Sequence, residues 1–63
     1  MKDSNGIEIE SGMLVDAPEP NESDIHQHAF IGGVIGFRGE HVVVADQMDE
    51  WFELEPERLT IIN

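Results

Sequence analysis

Phe30-Ile31-Gly32-Gly33-Val34-Ile35-Gly36-Phe37-Arg38-Gly39-Glu40-His41-Val42-Val43-Val44-Ala45-Asp46 reads as two strands around a tight turn. Residues 29–37 are rich in aromatic and β-branched side chains, and residues 41–46 carry three consecutive valines. Between them Arg38-Gly39-Glu40 is a turn signal, because Gly39 adopts positive φ without steric cost. Gly32, Gly33 and Gly36 would weaken a flat strand. In a small sheet that curls on itself they mark bends or bulges.

Strand-like patterning continues on both sides. Gln47-Met48-Asp49-Glu50 is a second turn, and Trp51-Phe52-Glu53-Leu54 a further strand. Pro56 suits the first position of a helical turn, which predicts a 3-10 turn over residues 55–59. Thr60-Ile61-Ile62 then forms a short last strand. Upstream, Ile7-Glu8-Ile9 alternates, and Gly12 introduces the apolar run Met13-Leu14-Val15. Residues 16–28 are polar, hold Pro18 and Pro20 and lack a helical stripe, so a long loop is expected there. No repeat or low-complexity tract interrupts the chain, and residues 1–63 are expected to form one all-β domain. Its core is expected to be Val15, Phe30, Val34, Val42, Val44, Phe52, Leu54 and Leu59.

Composition restricts function. The chain has 63 residues, 14 acidic and 3 basic side chains, a net charge of −11 and no cysteine. A domain this small buries only about 60% of the surface its unfolded chain exposes. Without cysteine there is neither a disulfide framework nor a thiolate metal site. The cations Lys2, Arg38 and Arg58 are scattered, whereas nucleic-acid binding needs them gathered to neutralise phosphates. Nucleic acid and anionic membranes are therefore excluded as expected partners. A basic protein surface is favoured by electrostatic steering. Met1-Lys2-Asp3-Ser4-Asn5-Gly6 is followed by no apolar core, which predicts no signal peptide. No apolar run approaches the roughly 20 residues of a membrane span. A cytoplasmic protein is the expectation.

Five short strands with a long early loop, two tight hairpins and a 3-10 turn before the last strand describe a five-stranded SH3-like barrel. Residues 30–60, about half the chain, resemble the Tudor branch of these barrels. Phe30-Ile31-Gly32-Gly33-Val34 looks like its aromatic-x-small-x-aliphatic second strand, and Val42-Val43-Val44 like its valine-rich third strand. Leu54 followed by Leu59 looks like its closing segment. The pattern is shared with KOW-type and other small bacterial barrels. Tudor methyl-readers use an aromatic cage built on cation–π attraction. Here Phe30 occupies one aromatic position, but Ala45 and Met48 stand where two others are usual, and residues 16–28 hold no aromatic. The resemblance implies the fold and not the methyl-reading function.

Few constellations carry chemistry. His26 and His28, with Glu22 and Asp24 nearby, would share a strand face and could clamp a divalent metal; a solvated histidine pair is the simpler reading. His41 would join them only if the fold brings it close. Asp46, Asp49 and Glu50 crowd one turn without the glycine or alternating ligands of a calcium loop. Ser4, Ser11, Ser23 and Thr60 sit in no nucleophile elbow, and the glycines form no phosphate cradle. Neither an enzyme nor a cofactor is expected.

Trp51 is the best local oddity. If Phe52 and Leu54 face the core, Trp51 and Glu53 face outward, and Val43 becomes an exposed cross-strand partner of Trp51. Trp51 then either forms a contact surface or lies as a lid over the end of the barrel. The expected contact surface is Trp51, Val43 and Phe37 with the acids Asp46, Asp49 and Glu50. The leading expectation is thus a non-enzymatic protein-interaction module with a protein partner, a basic one being favoured by charge, the chain itself being a monomer or weak homodimer. Two alternatives stand beside it: an acidic nucleic-acid mimic that inhibits a basic protein, and a small metal-binding protein using His26 and His28.

Overall fold

The computed structural model describes residues 1–18 and 29–62. It is an all-β protein with strands β1 (Leu14–Ala17), β2 (Phe30–Arg38), β3 (His41–Ala45), β4 (Trp51–Leu54) and β5 (Thr60–Ile61), and a 3-10 turn at Pro56–Arg58. All strands are antiparallel in one sheet, in the order β4-β3-β2-β1-β5. No ladder joins β4 to β5 among the described residues, so the expected closure into a barrel is absent and the sheet is open. The elements lie close to the expected bounds: residues 29–37 were expected where β2 runs Phe30–Arg38, and β4 coincides with its expected range.

Alternation builds the core. Val15 and Ala17 on β1, Val34 on β2, Val42 and Val44 on β3 and Leu54 on β4 share the inner face and are buried. Leu59, just past the 3-10 turn, is fully buried among them, as Pro56 ends the preceding strand and aims the chain back. Phe30 and Phe52 pack against this cluster half-buried, ring centroids 5.4 Å apart and tilted by 58°. Burying each such side chain contributes roughly 1.5–3 kcal/mol.

Two glycines act in different ways. The β2–β3 register shifts between Val34 and Gly36, leaving Ile35 as the extra, exposed residue of a bulge. At Gly32 the reason is closeness: a Cβ there would lie 2.5 Å from Val44 Cγ1 and 2.7 Å from the Ala45 carbonyl oxygen. The hairpin turn follows the sequence reading, with Gly39 at φ 61°.

Three expectations are corrected. Residues 16 and 17 belong to β1 and not to a loop, because Ala17 is needed inside and Asp16 turns outward. Ile7-Glu8-Ile9 is not a strand; it meets the amino terminus through the isolated Lys2–Glu8 bridge, the Ile9 N–H donated to Met1 O, and the bonds that Ile7 exchanges with Asp3. Asp46 does not extend β3, since it turns to hold the next loop. Ile9 and Ala17 also join the core, where the sequence reading had not placed them.

Candidate protein-docking face

The outer face of β3 and β4 follows from the inner one. With Val42, Val44 and Leu54 pointing in, Val43, Ala45, Trp51 and Glu53 point out. Val43 lies directly opposite Glu53, and Ala45 opposite Trp51. The expected direct Val43–Trp51 pair is therefore a diagonal one, still within reach of an indole. Trp51 is 65% exposed.

A half-open groove of about 300 Å³ lies here, lined by Phe37, Arg38, Val43, Trp51 and Glu53. It brings together the three apolar residues expected in a contact surface: Trp51, Val43 and Phe37. Arg38 and Glu53 were not foreseen, although strand alternation places Glu53 beside Val43. Arg38 Nη1 stands 3.9 Å from Glu53 Oε2, with both side chains largely solvated. Such a contact is weak and exchanges readily.

The acids divide. Asp49 and Glu50 are exposed in the turn that leads directly into Trp51. Asp46 is buried, and its Oδ1 accepts the Met48 N–H at 2.8 Å and the Glu50 N–H at 2.9 Å. Its backbone N–H donates to Glu50 O, and Asp49 N–H returns to Asp46 O. Asp46 thus shapes the turn that presents Trp51, and its Oδ1 is occupied by backbone donors. Asp49 closes the turn at φ 61°.

Register extends this surface across the sheet. Leu14 pairs with Gly33, Gly33 with Ala45 and Ala45 with Trp51, a single outward row over four strands. Leu14 and Trp51 are exposed at its ends, and no atom lies within 4 Å of a Cβ built on Gly33. Glycine and alanine therefore form a low floor between two large apolar side chains.

The described residues among the other candidates gather no site. His26, His28, Glu22, Asp24 and Ser23 lie outside the described residues, and His41 is exposed at the start of β3. Among the described residues no group of three or more His, Asp or Glu is placed to hold a metal. The Ser4 and Thr60 hydroxyls bond to each other at 2.7 Å. No described helix is long and apolar enough to cross a membrane. No family model, curated protein or solved structure matches the chain.

Proposed function

We propose that this chain has an SH3-like fold, loosely Tudor- or KOW-like and of bacterial type, whose sheet is not closed by a β4–β5 ladder among the described residues, and that it works in the cytoplasm as a non-enzymatic protein-interaction module. Its partner is a basic protein surface, docked on the outer face of β3 and β4. The fold reading is supported by five short antiparallel strands, β5 returning beside β1, and a 3-10 turn just before it. The docking reading rests on one observation: Trp51, 65% exposed, stands on a regular strand beside the groove it shares with Val43 and Phe37. An exposed tryptophan next to an apolar floor gains most when a partner excludes water from it. Glu50, Asp49 and Glu53 flank it, and a net charge of −11 steers cations toward it and like-charged copies away.

Capture from source-cell lysate at low and high salt, with and without added DNA, tests this reading. A docking module retains a partner through the high-salt wash and in the presence of DNA, because apolar contact with Trp51 is not screened. A nucleic-acid mimic releases its partner as salt rises, and DNA competes for the same site.

A further inference from the structure

The edge of β4 carries a second consequence, which rests on the docking reading above. The Asp46 N–H donates to Glu50 O at 2.9 Å, fixing the phase of the β3–β4 ladder. Hydrogen-bonded pairs recur every two residues in an antiparallel ladder, so Val44 with Phe52 and Val42 with Leu54 exchange the bonds. The same phase follows from the other side of the sheet. Val34 N–H donates to Met13 O toward β1, so Gly33 bonds Ala45 and Val44 is left to bond β4. Trp51 and Glu53 are the non-bonded partners of Ala45 and Val43. Their N–H and C=O groups therefore point away from β3, to the free side of a strand that ends the sheet. Among the described residues no turn, loop or cap bond reaches these four groups, and β4 pairs with no strand but β3.

We infer that β4 accepts an added antiparallel strand from the partner, with lysine or arginine at the alternate positions that face Trp51 and Glu53. The two residues whose backbones face the edge are also the two whose side chains face outward. A partner strand bonded to Trp51 and Glu53 places its own directly opposed side chains on that outer face. There one cation meets the Glu53 carboxylate and the other the indole face. A second copy of this chain is a poor occupant, because strand addition would bring two chains of charge −11 edge to edge. Arg38 is a local competitor for Glu53, and its 3.9 Å contact yields to a directly opposed lysine.

The probe is an acetylated, amidated Val-Lys-Val-Lys-Val-Lys-Val peptide added to the full chain at low salt. Exchange of the Trp51 and Glu53 amide protons is followed by NMR. Strand addition slows both, by about tenfold or more at saturation, while the Phe52 amide, already in the ladder, changes little. Glu53→Pro removes an N–H that the sheet itself does not use, and after circular dichroism confirms its fold it loses the peptide. Glu53→Gln binds more weakly and still shows the slowed exchange. Peptide binding that shifts the indole without slowing either amide overturns strand addition and leaves side-chain docking at Trp51 standing. No binding of the peptide at all overturns it as well, while lysate capture continues to report on the docking face.

Discussion

The Asp3 carboxylate accepts the backbone N–H of Ile61 at 2.9 Å through Oδ2, across 58 residues of chain. Its Oδ1 takes the Asn5 and Ile7 N–H groups, and Asp3 is itself buried. One side chain thus closes the first turn and fastens it to β5, beside a Ser4 N–H donated to Leu59 O. Asp46 repeats the first half of this arrangement with Met48 and Glu50, and in each turn the fourth residue, Gly6 or Asp49, has positive φ. Two of the many acids of this chain are therefore structural.

The Asp3 carboxyl titrates below its ordinary range, chiefly because the Ile61 N–H stabilises the charged form, with further donors at Ile7 and Asn5. A carboxyl lowered on folding contributes stability above its unfolded value, near 3.9, and loses it as pH falls through the folded value. Melting temperature followed downward from pH 7 should fall below about pH 4 in the wild type. Asp3→Asn should start lower and fall less steeply over the same acid range. Parallel curves would contradict this role.

Asp46→Ala strands the Met48 and Glu50 N–H groups and should cost about 1–3 kcal/mol in denaturant unfolding. At the positive-φ position of the same turn, Asp49→Val should cost about 1–2 kcal/mol, while Asp49→Gly should not destabilise. Equal losses for valine and glycine would contradict the backbone explanation.

Gly32→Ala and Gly33→Ala form a matched pair. The first drives a methyl into Val44 Cγ1 and the Ala45 carbonyl and should cost about 1–3 kcal/mol. The second meets open space and should leave stability unchanged or slightly raised. Urea midpoints of the two variants check the contrast.

Most of the sheet was legible because alternation survives in β3 and β4: the buried Val42, Val44 and Leu54 fix both faces. Turn chemistry was legible where glycine or proline carries it, at Gly39 and Pro56. Asp3 and Asp46 were not, since a buried aspartate and a solvated one look alike in a chain with 14 acids. Only the backbone donors folded around them distinguish the two. Ile7-Glu8-Ile9 misled because alternation over three residues needs a partner strand, and the turn at Asp3 supplies only a bridge. On the outer face of β3 and β4, the outward placement of Val43 and Trp51 followed from alternation alone. Arg38 and the diagonal placement of Trp51 required the register, which the bulge at Ile35 and the turn after Asp46 set.

Trp51 should be nearly free of structural duty. Trp51→Ala exposes no core residue and should change unfolding free energy by no more than about 0.5 kcal/mol, whereas Val44→Asp or Leu54→Asp should prevent folding. Thermal melts of the three variants read this directly, and a large loss with Trp51→Ala would make it a lid over the fold.

The most direct test sets wild type and Trp51→Ala side by side in lysate capture, after matched melting curves show both folded. The docking reading predicts a protein retained by wild type through a high-salt wash and absent from the variant. An identical set of retained proteins from both would contradict it.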